Sequence, residues 1–154
     1  MLTLRPMTQA EFDALLPILN REYAEESVRA GRDHPDTALA NVEAMMAGLL
    51  PDGVGTAGHL IFAGEVDGAV AGHIWLGLPD EKRPQAWVYE VQVAAAHRGK
   101  GYGRALMLAA EEELKARGVT RLGLNVFGPN TVARGLYESL GYETASVQMS
   151  KELA

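Results

Sequence analysis

The stretch Val91-Gln92-Val93-Ala94-Ala95-Ala96-His97-Arg98-Gly99-Lys100-Gly101-Tyr102-Gly103 carries the chain from a strand into a helix. Its first residues close the apolar run Ala86 to Val93, whose branched and aromatic side chains predict a central β-strand. Its last residue opens a helix predicted over Gly103 to Arg117, with Leu106, Met107, Ala110 and Leu114 facing inward. The pairs Glu111/Lys115 and Glu113/Arg117 stand in the favourable i, i+4 order on the outer face, and Gly118 ends the helix. A glycine-rich turn at such a junction aims successive backbone N–H groups into one concavity at the positive end of the helix dipole, a geometry that binds phosphate. A side chain at Gly101 or Gly103 would hold a pyrophosphate off those amides, while Arg98, Lys100 and Arg104 surround the turn with positive charge. Two familiar phosphate motifs fail. A P-loop needs Ser or Thr after its lysine, but Gly101 follows Lys100. A dinucleotide fingerprint begun at Gly99 meets Arg104, and one begun at Gly101 meets Leu106, where glycine or alanine is required. An unliganded strand-to-helix connection is the competing reading of the turn.

Working outward, Arg121 to Phe127 reads as a strand, and Pro129-Asn130 opens a last helix in which Ala133, Leu136, Tyr137 and Leu140 share a face before Gly141. Tyr142 to Leu153 is left for a final strand or hairpin. Upstream, Leu60 to Val66 and Ala69 to Leu78 flank Asp67-Gly68 and predict a hairpin closed by a type I′ turn. Leu2 to Arg5 forms a first strand. Thr8 and Glu11 then make a capping box for a helix carrying Phe12, Leu15, Leu16, Leu19 and Tyr23, with a kink or restart expected at Pro17. A second helix is expected from Asp36 to Leu50, with Leu39, Val42, Met46 and Leu49 inward. This order of elements gives an α/β class: one mixed sheet with helices on both faces, in a single domain over residues 1–154.

Composition removes several function classes. The chain has 154 residues, 47% apolar and 22% charged, enough to bury a core. Without cysteine it has no disulfide, no thiolate zinc site and no covalent acyl-cysteine route. The longest nearly apolar run, Ala69 to Leu78, is roughly half of a membrane span. The N-terminus reads as a strand and not as a leader, so the cytoplasm is the expected compartment. Residues 1–80 hold 12 Asp/Glu against 4 Lys/Arg, net −8, and residues 81–154 hold 8 against 10, net +2. Arg98, Lys100, Arg104, Lys115, Arg117 and Arg121 cluster around the glycine turn, which suits a local anion site better than a nucleic-acid face in an acidic protein.

The segment Val91 to Gly103 resembles the acyl-CoA motif of the GNAT superfamily of N-acetyltransferases, with (Gln/Arg)-x-x-Gly-x-(Gly/Ala) present as Arg98, Gly101 and Gly103. Asn130-Thr131-Val132-Ala133-Arg134-Gly135-Leu136-Tyr137-Glu138-Ser139-Leu140-Gly141-Tyr142 is similar to the family's second motif, Asn-x-x-Ala-x-x-Leu-Tyr-x-x-x-Gly-(Phe/Tyr). Ala95 stands where many members carry proline. The resemblance implies a mostly antiparallel sheet whose strands at 87–93 and 121–127 splay apart to form an acyl-CoA cleft. It implies acetyl-CoA as cosubstrate, with no metal. Backbone at Val91 and Val93 would pair with the pantetheine arm like an added strand, and amides from Gly99 to Arg104, through Lys100, Gly101, Tyr102 and Gly103, would hold the pyrophosphate. Arg98, Asn130 and Arg134 complete the expected cofactor-binding set.

Acetyl transfer to an amine needs a base for the amine proton and an acid for the departing thiolate. Tyr137 is the expected acid, since the second motif keeps a tyrosine beside the thioester sulfur; helical spacing alone would make it a core residue. Glu90 is the expected base, because a carboxylate inside an apolar strand is either paired or used. Pairing with an arginine or with backbone amides is the equal alternative. His34, His59, His73 and His97 show no metal-site spacing and rank below Glu90. The expected partner is a small-molecule amine or a peptide N-terminus, not nucleic acid or membrane. The net −8 of the first half, with Glu22, Glu25 and Glu26 together, favours a cationic acceptor. A homodimer is compatible with the sequence, which does not fix the oligomeric state. A non-catalytic acyl-CoA sensor is the competing function.

Overall fold

The computed structural model describes all 154 residues, in two compact units, Met1–Leu124 and Asn125–Ala154. The first unit contains β1 (Thr3–Pro6), α1 (Gln9–Arg29), α2 (Ala38–Leu49), β2 (His59–Val66), β3 (Ala69–Gly77), β4 (Ala86–Val93), α3 (Tyr102–Ala116) and β5 (Leu122–Leu124). The second contains α4 (Thr131–Ser139). The five strands lie in sequence order in one sheet, antiparallel except for the parallel pair β4–β5. No helix is long and apolar enough to cross a membrane.

Helices cover both faces of this sheet, which is why β3 is buried continuously from Ala71 to Gly77 instead of alternating. On one face, Phe12, Leu19 and Ala24 of α1 and Ala38, Val42 and Met46 of α2 pack with Met7, Ile61 and Trp75. On the other, α3 buries the four residues expected of it, Leu106, Met107, Ala110 and Leu114. Gly64 and Gly72 are opposite each other in the β2–β3 register, and an added Cβ would lie 2.7 Å from Leu106 at Gly64 and 3.0 Å from it at Gly72. The paired glycines thus make the seat into which Leu106 fits, and α3 lies close on the sheet. Asp67 and Gly68 both have positive φ, 50° and 80°, as a type I′ turn requires.

Thr8 caps α1 with the reciprocal Glu11 bond, but the helix runs unbroken through Pro17. Pro17 and Asp13, whose carbonyl loses its donor, are both exposed, so water can solvate the freed acceptor. In α2, Ala38 takes the buried place expected for Leu39, which is 46% exposed. The Lys115 ammonium is 2.9 Å from Glu112 and also feels the charge of Glu111, and Glu113–Arg117 forms as expected at 2.7 Å. Strand β5 keeps only three of the seven residues expected for it, and residues 143–154 form no strand. Val147, Met149 and Leu153 there are 72–88% exposed, so their alternation finds no face to bury against. In the second unit, Asn130 caps α4 by accepting from Ala133 N–H at 3.2 Å, and Gly141 follows the helix at φ 95°.

Candidate active site

Strand β4 is the organising element. It pairs with β3 from Trp87 to Val93, but β5 pairs only with Ala86, Trp87 and Val88, leaving residues 89–93 with no strand on that side. The parting coincides with a bulge: Trp75 faces Glu90 and Leu76 faces Val88, so Tyr89 is an extra residue in β4. Ala94 N–H donates to the Ala71 carbonyl at 2.7 Å. By strand alternation the backbone groups of Val91 and Val93 therefore point away from β3, along the open edge. Arg98 Nε takes one of them, the Val93 carbonyl, at 3.3 Å.

Beyond the strand, a short 3₁₀ turn (Ala95–His97) leads to Gly99 and Gly101, both left-handed at φ 77° and 82°. Gly101 is the residue before α3, no side chain caps that helix end, and the first bond of the helix runs from Ala105 N–H to the Gly101 carbonyl. The Tyr102 and Gly103 amides precede that bond and have no acceptor within the helix. A Cβ at Gly99 or Gly101 would meet no protein atom within 4 Å. The glycines are therefore there for backbone conformation and for the space in front of the amides. An open strand edge running into a helix N-terminus flanked by Arg98 and Lys100 fits an extended amide-bearing arm that ends in a pyrophosphate, which is the shape of CoA.

On the face covered by α1 and α2, the side chains of β3 and β4 form a polar patch at the edge of the core. Glu90 is 17% exposed at its side chain, and its Oε1 is 3.7 Å from His73 Nε2. Gln92 donates to Glu22 of α1 at 3.4 Å. The Tyr23 hydroxyl of α1 donates to the carbonyl of Tyr89, the bulged residue. Burial, then the nearby charges of Glu90 and Glu26, push the Tyr23 phenol above its ordinary range and keep it a donor. Next to this patch Tyr89 stacks on Trp75 at 4.5 Å, and Trp75 Nε1 donates to His59 Nδ1 at 3.0 Å. Burial and then Arg83 lower the His59 imidazole, consistent with an Nδ1 that accepts. Arg83 sits over Trp87 and donates to the Tyr89 hydroxyl at 3.1 Å.

Of the residues expected from sequence, the first unit brings Glu90, Val91, Val93, Arg98, Gly99, Lys100, Gly101, Tyr102, Gly103 and Arg104 together along β4 and its turn into α3. Asn130, Arg134 and Tyr137 belong to α4 of the second unit. There Arg134 donates to the Gly128 carbonyl at 3.3 Å, and the Tyr137 ring meets Tyr142 edge-on at 6.0 Å. Sequence reasoning missed Tyr23 and His73. The signal for Tyr23 was a phenol on a core-facing helical stripe, which needs a partner for its hydroxyl when buried. His73 interrupts an apolar strand, and only the register shows that it lies beside Glu90.

The sequence profile of the Acetyltransferase (GNAT) family matches residues 13–142. The uncharacterized N-acetyltransferase YycN of Bacillus subtilis is 32% identical over 97% of both chains, and its crystal structure superposes with a TM-score of 0.93 over 100% of this chain and 99% of that one. A second B. subtilis protein, the uncharacterized N-acetyltransferase YdgE, is 29% identical over 98% of both chains. The mycothiol acetyltransferase of Beutenbergia cavernae is 42% identical over 81 residues, which are 53% of this chain and 27% of that one. With the open β4 edge, the glycine turn and both sequence motifs, these matches identify the chain as an acetyltransferase of the GNAT family, whose members use acetyl-CoA.

Proposed function

We propose that the protein transfers acetyl from acetyl-CoA to a primary amine by direct attack within a ternary complex. The observation that carries this reading is the loss of β5 from β4 after Val88, beside a helix N-terminus built for phosphate. In this reading Val91 and Val93 hold the pantetheine arm, and the turn from Arg98 to Arg104 holds the pyrophosphate, aided by Asn130 and Arg134 from the second motif. A lysine-like amine of pKa ~10.4 is neutral in only about one molecule in a few thousand at pH 7. Glu90, largely shielded from water, beside His73 and without an arginine partner, takes its proton. Tyr137, the tyrosine of the second motif, returns a proton to the departing CoA sulfur.

The acceptor in this reading is cationic. Glu22 and Glu26 of α1 lie on the side of the helix that meets β4, adding to Glu90. The groove between α1 and the start of α2, about 450 Å³, is a poorer acceptor site for a cation because Arg21 and Arg29 line it with Glu25. The test is acetyl-CoA-dependent thiol release across a panel of amines, with a thiol reagent that meets no protein cysteine. Polyamines, aminoglycosides and basic peptide N-termini should lead the panel, and kcat/KM for the best of them should fall as salt rises to physiological strength. An anionic best acceptor, or indifference to salt, refutes the acceptor class. Failure of every amine to release thiol refutes the reaction.

A further inference from the structure

Deprotonating a protonated amine leaves Glu90 holding a proton that must reach solvent before the next turnover. Glu90, 17% exposed at its side chain, lies on the β4 segment that meets α1. His73, on the neighbouring strand, is 9% exposed, and its Nε2 is one of two buried side-chain polar atoms that have no hydrogen-bond partner, the other being Asn20 Oδ1. A buried imidazole nitrogen left unpaired is costly, and such atoms call for an explanation. Here the explanation is the neighbour: Glu90 Oε1 is 3.7 Å away, so a side-chain adjustment of about 0.8 Å gives a direct N···O hydrogen bond. The other ring nitrogen, Nδ1, is not among the buried unpaired atoms, and 11% of the side chain remains accessible.

We propose that His73 relays the amine proton from Glu90 to solvent. The proposal rests on the acetyltransferase reading above and adds a second residue to its proton path. The acceptor R–NH₃⁺ gives one proton to the Glu90 carboxylate. Glu90 passes it to Nε2 of a neutral His73, Nδ1 releases its own proton to water, and reorientation of the neutral ring returns a bare nitrogen to Glu90 before the next turnover. After attack, the second N–H proton ends on the CoA sulfur. One acetyl group is transferred, one thiol is formed and one proton reaches solvent, so the balance closes. His73 touches neither substrate in this scheme and acts through Glu90.

The charged and titratable groups around the pair are few. Cross-strand from His73 lie Ala63 on β2 and Gln92 on β4, so the strands contribute only Glu90. From α1 come Glu22, through its bond to Gln92, and Tyr23, whose phenol is pushed up by Glu90 and Glu26 and eased by Arg32. Tyr23 is already donating to the Tyr89 carbonyl and is kept protonated, so it is no exit for the proton. The glutamates stabilise a transient imidazolium.

The test uses two variants of the full chain with the best amine found. His73→Ala leaves a hole of imidazole size. Its kcat should fall about 10- to 100-fold, at or below the lower end of direct general acid–base effects because water takes over part of the relay, with the KM for acetyl-CoA unchanged. Added imidazole should restore the rate in proportion to its concentration. His73→Gln keeps the volume and a polar group, and should lose rate to a similar extent without rescue. Wild type should be indifferent to imidazole, and Glu90→Gln should not be rescued by it. Wild-type kcat in either folded variant overturns the relay, as does a slow His73→Ala enzyme that ignores imidazole. Full activity in Glu90→Gln beside a slow His73→Gln overturns the path through Glu90. In all of these cases acetyl transfer itself stands; only a wild-type enzyme that acetylates no amine removes the parent reading, and the relay with it.

Discussion

Replacing Gly101 by valine tests the proposed phosphate site separately from the stability of the fold. Gly101 has φ 82°, and a Cβ there would meet nothing within 4 Å, so the cost to the free protein comes from the backbone conformation alone. A left-handed position costs an L-residue about 1–2 kcal/mol, somewhat more with β-branching. For a domain of this size that lowers Tm by roughly 2–8 °C, leaving a folded protein. CoA at 100 times its Kd stabilises the wild type by about 2.7 kcal/mol, a rise of roughly 5–10 °C. In Gly101→Val the added methyl groups occupy the space in front of the Tyr102 and Gly103 amides, so a pyrophosphate is held off its donors. The rise on adding CoA should then fall below about 2 °C at the same CoA concentration. Gly101→Ala provides the control, with a similar backbone cost but a smaller intrusion, and should keep part of the shift. The assay is thermal unfolding with and without CoA, monitored by circular dichroism. A folded Gly101→Val protein with the full wild-type shift would place the phosphate site elsewhere and refute the reading of the turn.

Tyr137→Phe should lower kcat by about 10²- to 10⁴-fold while leaving the KM for acetyl-CoA near its wild-type value, since the hydroxyl acts as thiolate charge develops; steady-state kinetics at saturating amine check this. Gly72→Ala should be destabilised by about 1–3 kcal/mol, because its Cβ would lie 2.4 Å from the Gln92 carbonyl oxygen as well as 3.0 Å from Leu106, and urea unfolding would show it. The Arg5 guanidinium, followed by the Thr8 amide, holds the Glu11 carboxyl down at about 2. A depressed carboxyl stabilises the fold above its unfolded value of 4.5, and this contribution is lost as pH falls toward 2. Arg5→Gln should therefore lose stability at neutral pH and show a shallower decline between pH 5 and 2, measured by urea midpoints across pH.

The sequence made some elements legible because a local rule and the tertiary context agreed. Helix α3 is the best case: its apolar stripe, its glycine entry and Gly118 all point the same way, and its four inward residues are the ones buried. Asp67-Gly68 specified its turn through backbone conformation alone. The failures occur where long-range pairing decides. Strand β5 has the composition of a longer strand, but a strand extends only as far as its partner, and β4 bends away at Tyr89. Residues 143–154 alternate in hydrophobicity, yet no partner surface receives them. At the site, the conformation of the turn into α3 was readable because glycines at fixed spacing supply its positive φ angles, at Gly99 and Gly101. His73 was not, because its meaning depends on which residue of β4 stands beside it, and the bulge sets that register. Tyr23 was assigned to the right helical face, but its hydroxyl partner is a main-chain carbonyl, which no sequence pattern encodes.

The open edge of β4 has a consequence for the protein's life outside catalysis. Unpaired backbone on a sheet is the template on which chains add to one another, and β-proteins usually guard it with charge, proline or a covering segment. Along residues 89–93 the side chains are Tyr, Glu, Val, Gln and Val, so a single carboxylate is the only charge, and there is no proline. What restrains the edge is its brevity, bounded by the β5 pairing at one end and the turn into α3 at the other. A ligand that hydrogen-bonds along this edge fills the place a foreign strand would take. If CoA lies along this edge as proposed, its occupancy would protect against self-association, and concentrated protein should remain dispersed longer with CoA present than without it.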